Sequence, residues 1–295
     1  MNVTIRRWTN GVGIGLIHIA ALAAFIPGMT HWSSVAVAFV LLWVTGGLGI
    51  NLCYHRVLTH RSVRLLKPVE YILATIGTLS LQGDPVRWVA IHRKHHAYAD
   101  REGDPHGRDR GFLWSHMDWL YKPNDALENE EELVRYVPDM ANDRYYRALP
   151  YLQWAAHFAL AGLLFAFGGW SWIVWGIFVR LVVSYHVTWF VNSAAHSLGY
   201  RTYVTRDLST NCWWVALLAW GEGWHNNHHA FPYSARHGLK WFEVDPTWWS
   251  VQTLKFLRLA DSIKLPPRAA LQRKPVPVPI PVPVATTRQQ PSRGY

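Results

Sequence analysis

The sequence predicts an all-α integral membrane protein, with four transmembrane helices in two hairpins and a helical cytoplasmic cap. Three observations point there. Half of the 295 residues are hydrophobic and only 16% are charged, a low share for a soluble protein. No Lys, Arg, Asp or Glu occurs from Trp8 to Tyr54, and between Ala148 and Tyr200 the one formal charge is Arg180. The 29 Lys and Arg otherwise gather outside these blocks, two in the N-terminal tail, fourteen from Arg56 to Arg147 and twelve after Tyr200.

Each uncharged block is long enough for two crossings, since a bilayer core of roughly 30 Å needs about 20 apolar residues per helix. In the first block, residues 1–54, Pro27-Gly28 begins a break between Gly11–Ile26 and Ser34–Tyr54. The polar segment 55–147 follows. In the second block, residues 148–195, Gly168-Gly169 separates Leu152–Phe167 from Ser171–Asn192. A second polar segment runs from 196 to 264. Both hairpin turns lack Lys and Arg, so the positive-inside rule puts both termini and both polar segments in the cytoplasm. The alternating Pro/aliphatic run from Pro275 to Pro283 cannot join a helix or a central strand, so residues 265–295 are expected to be a disordered tail.

A pI of 9.7 suits anionic headgroups or a phosphorylated substrate, whereas a nucleic-acid partner would not explain two membrane hairpins. Cys53 and Cys212 have apolar neighbours and no metal-binding spacing, so no disulfide framework is expected. Arg180 is the only charge at membrane depth, and a structural role through hydrogen bonds to backbone or to the cap is expected of it.

Nine of the sixteen histidines fall in four clusters at the cytoplasmic ends of the expected helices: His55 and His60; His92, His95 and His96; His196; and His225, His228 and His229. Two clusters repeat the pattern H-x-x-H-H. Positions i, i+3 and i+4 share a helical face, so each triplet is expected to aim three imidazoles at one point. His55 and His60, five apart, would diverge by about 140° on a regular helix, so one must act from beyond the helix end or the two must serve different metals. Asn192 and His196 lie four apart, again on one face. His18, His31, His157 or His186 alone reads as a satisfied core or interfacial residue. Clustered histidines at helix ends have no such packing account, and ten ligands suit two metal ions. Imidazole accepts Zn, Cu, Ni or Fe. A closed structural zinc site with thiolates and a bridged two-carboxylate bundle site both lack their residues.

The segments HRVLTH (55–60), HRKHH (92–96), NSAAH (192–196) and GEGWHNNHH (221–229) resemble the membrane fatty-acyl desaturases of the stearoyl-CoA-type Δ9 class. QGDPVRW (82–88), DPH, RGF and SH within 104–116, and TWFVNS (188–193) extend the resemblance over roughly residues 10–245. The short bacterial, cyanobacterial and plant-type members, which lack a fused cytochrome b5 domain, are the nearest in pattern. The resemblance implies a di-iron centre in the cap, ligated by the nine clustered histidines with Asn192 beside one iron, and O₂ as co-substrate. It implies a cis double bond placed at Δ9 of a long acyl chain on CoA, with a lipid-borne chain as the alternative. The implied electron donor is a ferredoxin, cytochrome b5 or a reductase, and the implied location is a bacterial inner membrane.

Removing hydrogen from unactivated methylenes is beyond any general base at neutral pH, which calls for O₂ and a redox metal. The chain must then hold the methylenes in place and exclude water. By the resemblance, Gln82, Trp88, Thr188 and Trp189 lie along the acyl tunnel, and Trp43, twelve residues before His55, closes its far end. Arg93, Arg108 and Arg110 are candidates for a CoA phosphate or a lipid headgroup. Asp84, Asp100, Asp104 and Glu222 are the nearby carboxylates able to orient imidazoles. Rival readings are a di-iron membrane hydroxylase or ketolase and, from another class, a metal transporter or zinc-dependent receptor.

Overall fold

The computed structural model describes residues 3–272. Among them three helical runs are long and apolar enough to cross a membrane: Thr4–Phe25, Trp32–Thr59 and Arg144–His196. Their outer faces expose large apolar side chains, including Leu16, Ile19, Phe39, Phe158 and Phe165, which suits lipid rather than water. Between the first two runs the chain turns at Gly28, whose φ of 84° favours glycine. The second run is capped where the His31 N–H donates to Ser34 Oγ and Ser34 Oγ–H donates back to the His31 carbonyl.

The third run has 53 residues. A straight helix of that length would measure about 80 Å, far beyond a bilayer. It bends instead at Gly169, where φ is 60° and ψ is −153°. Beyond this turn the chain doubles back, so that Leu164 lies against Gly176. Ser171 Oγ donates to the Met29 carbonyl at 2.9 Å and Trp175 Nε1 donates to Thr30 Oγ1 at 3.1 Å. Both uncharged turns therefore sit at one end of the bundle.

Arg180 ties the bundle together from inside, with 1% of its surface exposed. Its Nε donates to the Gly176 carbonyl at 2.6 Å, Nη1 to Thr45 Oγ1 at 2.8 Å and Nη2 to the Leu79 carbonyl at 3.0 Å. A buried cation is tolerated there because every contact is a hydrogen-bond acceptor.

The polar cap is built at the other end. Trp32–Leu42 is α-helical, and Trp43–Thr59 continues it as a π-helix. The helix Lys67–Thr78 packs so closely on this stretch that a Cβ on Gly49 would come within 2.6 Å of Gly77 Cα. The helix Pro85–Tyr98 follows, started by Asp84, whose side chain accepts from the Arg87 N–H at 3.0 Å. A core of Leu52, Tyr54, Val57, Val89, Leu133 and Leu149 joins these helices to the cap.

Two features depart from the sequence expectation. The fold is not purely α: Val63–Leu65 pairs antiparallel with Ala260–Ile263, a two-stranded ribbon that clasps the start of the first polar segment to the end of the second. Strands of three and four residues leave too short a period-two pattern to be read from sequence. At the start of the expected tail Arg268–Leu271 forms a helical turn, while residues 273–295, with the Pro-rich run, lie outside the described residues.

Candidate metal centre

The nine clustered histidines converge in the cap and sort into two groups. One ring nitrogen from each of His55, His60, His92, His96 and His228 lies within 4.8 Å of the others, and the same holds for His95, His196, His225 and His229. The H-x-x-H-H triplets are thus divided rather than each serving one point. Around a helix, i+4 returns to about 40° past i while i+3 falls about 60° short of it. Positions i and i+4 therefore pair, and i+3 leans away. His92 Nε2 and His96 Nε2 are 3.2 Å apart, and His225 Nε2 and His229 Nε2 are 3.1 Å apart. The displaced members cross over: His95 joins the second group, and His228 meets His96 Nε2 at 2.9 Å and His55 Nε2 at 3.2 Å in the first.

The π-helix resolves the pairing of His55 with His60. Its backbone bonds reach five residues back, as the His60 N–H does to the His55 carbonyl at 3.1 Å. Residues five apart are then stacked one turn above another, and the two rings lie 4.8 Å apart. Of the two alternatives drawn from a regular helix the first holds: His60 lies just past Thr59, at the end of the π-helical stretch, and both rings reach the first group.

Carboxylates hold the outer nitrogens. His95 Nδ1 donates to Asp104 Oδ2 at 2.8 Å, His196 Nδ1 to Asp100 Oδ2 at 2.6 Å and His229 Nδ1 to Asp207 Oδ2 at 2.9 Å. His55 Nδ1 lies 2.7 Å from Glu222 Oε2. A proton fixed on Nδ1 leaves the Nε2 lone pair pointing inward. Burial opposes ionisation of Asp104, yet the adjacent His95 imidazole, by charge and hydrogen bond, holds its carboxyl down at about 2. Burial likewise works against Asp100 and Asp207, and contacts with His196 and His229 carry both below the usual carboxylate range. Burial pushes His92, His96, His225 and His228 well below the ordinary imidazole value, so they stay neutral.

This donor set fits metal ions. His60 Nε2, His95 Nε2 and His196 Nε2 are buried without any hydrogen-bond partner, a costly state for polar atoms unless they are ligands. Neutral nitrogens facing one another at about 3 Å need a shared cation or proton between them. Imidazole donors with carboxylates behind them are the pattern of transition-metal sites.

Beside the centre is a narrow cavity of about 40 Å³. Gly46, Ile50, His55, Trp88 and His92 form one wall, Ser184, Thr188, Val191 and Asn192 another, and Ala219, Trp220 and His225 complete it. Trp88 stacks on His92 with ring centres 5.2 Å apart. Gln82 stands one layer back, its Nε2 donating to Thr188 Oγ1 at 2.9 Å. Trp43 sits behind Trp220, ring centres 5.4 Å apart, with its indole against Gly47.

Other expected site residues are placed elsewhere. Asp84 caps a helix and holds no imidazole. Trp189 stacks on Tyr185, 5.4 Å between centres, and turns away from the cavity that Thr188 lines, because successive helical residues diverge by about 100°. Arg93 is spent on Asp139 and on the carbonyls of Leu58, Thr59 and Tyr136. Arg108 Nε donates to Ser197 Oγ at 2.6 Å, and Arg110 covers the Trp114 ring at 3.2 Å, so neither lines the cavity.

Four contributors have no place in the expected set. Asp207 lies in a loop without a motif. His106 stacks on His95 at 4.3 Å, and His237 lies 4.5 Å from the His228 ring. Arg56, buried completely, bridges Glu222 and Asp245. Two of them carried a signal: Arg56, a charge beside His55 at the end of an apolar helix, and His106, the last residue of the DPH segment.

Comparison with known proteins agrees with this centre. Residues 30–254 match the family Fatty acid desaturase. The chain is 52% identical over 261 residues to the sn-1 stearoyl-lipid 9-desaturase of Anabaena variabilis, covering 88% of this chain and 94% of that one. It is 48% identical to the sn-1 stearoyl-lipid 9-desaturase of Synechocystis sp., covering 90% and 83%. It is 44% identical to the Acyl-CoA C20 Delta5-desaturase of Anemone leveillei, covering 89% and 85%. With its histidines gathered into two potential metal sites and this likeness running through most of its length, the chain belongs to the fatty acid desaturase family.

Proposed function

We propose that this enzyme uses O₂ and two electrons to place a cis double bond at Δ9 of a stearoyl chain esterified in a membrane lipid. The observation that carries the reading is the set of nine converging imidazoles beside an apolar-walled cavity, in a chain about half identical to two stearoyl-lipid 9-desaturases. The expectation of a CoA carrier gives way to its alternative, since the relatives at 52% and 48% are named for lipid substrates and an acyl-CoA name appears at 44%. In this reading four helices cross the membrane as two hairpins, and the cap and both termini lie on the cytoplasmic side. A ferredoxin, cytochrome b5 or a reductase supplies the electrons.

The nine histidines would hold two iron ions, with Asn192 at the cavity edge beside them. Iron there would supply the redox chemistry by which O₂, two electrons and two protons take two hydrogens from adjacent methylenes and leave two waters. The chain does the rest by position. Trp88, braced on His92, and Thr188, fixed by Gln82, confine the acyl chain next to the centre. Ile50, Val187 and Val191 keep water from the reacting carbons.

Supplying purified enzyme and an artificial reductant with either acyl-CoA or phospholipid-bound chains tests the carrier. Unsaturation is expected in the phospholipid, and conversion of acyl-CoA alone would reject it. Trp43→Ala removes the ring behind Trp220 and is expected to shift preference by about tenfold toward longer chains. The bond keeps its distance from the carboxyl end, because that distance is set at the metals. An unchanged chain-length profile in a stable, iron-loaded variant would mean that the cavity ends elsewhere.

A further inference from the structure

His237 is the buried histidine nearest the first group that is not a member of it. It is 1% exposed, and its backbone is pinned, the N–H donating to Asp245 Oδ2 at 2.8 Å and the carbonyl accepting from Asn227 Nδ2 at 2.9 Å. Its ring centre lies 4.5 Å from that of His228 and 5.4 Å from that of His55. Its Nδ1 stands 3.0 Å from Glu222 Oε2, the same oxygen that His55 Nδ1 approaches to 2.7 Å. Glu222 has little freedom to turn, because Oε1 accepts from Arg56 Nε at 3.1 Å and Nη2 at 2.9 Å.

We propose that His237 is a positioning residue which limits, through Glu222, how strongly His55 donates to a bound metal ion. The inference rests on the metal reading given above. An imidazole facing a carboxylate through Nδ1–H becomes a stronger donor at Nε2. Both Nδ1 atoms lie within 3.0 Å of this one oxygen without a formed hydrogen bond, so the two rings compete for its charge and His237 draws on a share that His55 would otherwise have. With Oε1 held by Arg56, loss of His237 leaves Oε2 to His55 alone. His55 then becomes the better ligand and favours the more oxidised metal.

This sign separates the proposal from simple damage. A ring that only fills space would, once removed, leave a void beside His228 and loosen the site. Full-length protein loaded with iron is mixed with excess chelator, and iron release is timed beside a redox titration. His237→Ala is expected to slow release from one of the two sites about tenfold and to lower its midpoint potential. His237→Gln, which keeps an N–H able to reach Glu222, is expected to stay near the wild type in both. If the alanine variant does not fold, His237→Leu fills the volume without the N–H and must show the same slowing. Release that is unchanged or faster, with an unmoved potential, overturns the inference while leaving the metal reading intact. A wild type that takes up no transition metal overturns both.

Discussion

Replacing His228 by alanine is expected to abolish desaturation by removing metal while leaving the chain in the membrane. His228 is fully buried, and its Nε2 lies 2.9 Å from His96 Nε2 and 3.2 Å from His55 Nε2. It therefore joins the His225–Ala230 helix to the group formed by Trp43–Thr59 and Pro85–Tyr98. Without it, the four remaining imidazoles of that group, His55, His60, His92 and His96, face a gap. The apolar runs that direct insertion do not involve it. Metal analysis of the purified wild type is expected to give about two irons per chain in a family of this chemistry, and the variant markedly fewer. Desaturation measured in a host without its own enzyme should fall to background. Full metal content in an inactive variant would mean that His228 serves substrate or fold. Stoichiometric zinc with iron-independent activity in the wild type would reject iron altogether; zinc content alone would not, because imidazole sites accept the wrong metal on overexpression.

The sequence was most legible where chemistry forces a dense pattern. Long uncharged blocks and repeated H-x-x-H-H spacings have few structural explanations, and the clustered histidines do converge. What it hid depended on backbone detail. A π-helix leaves no side-chain signature, so the companionship of His55 and His60 looked like a conflict. The division of each triplet follows from helical angles of about 40° and about 60°, but only once a second group exists for the i+3 residue to meet. Asp84 was readable as a helix cap, since Asp followed by Pro at the first helical position is a start signal, and its nearness to the histidines obscured that. Asp207 was not readable: it is brought to His229 by a loop, and loop paths are set by tertiary contacts.

Arg56→Ala is expected to destabilise the cap by about 3–5 kcal/mol, because it leaves two buried carboxylates without their cation. The guanidinium is completely enclosed and uses its fork in three directions. Nε and Nη2 donate to Glu222 Oε1, Nη1 and Nη2 to the two oxygens of Asp245, and Nη1 also to the Ala235 carbonyl at 2.8 Å. Asp245 in turn starts the helix Pro246–Phe256 by accepting from the Trp248 N–H, and it holds the His237 and Gly238 amides. One side chain thus connects the π-helical stretch, the Glu222 carboxylate beside His55, and the last cap helix. Arg56→Lys should recover only part of the loss, since a single ammonium cannot serve two carboxylates with paired N–H groups. In detergent the alanine variant should melt on the order of 10 °C lower. Glu222 is held well below the usual carboxylate range, with burial opposing and Arg56 the largest favourable influence, so the variant should also bind metal more weakly through His55. A melting midpoint equal to the wild type, with unchanged iron content, would show that Glu222 and Asp245 find other partners and that the bridge is not what holds this side of the centre.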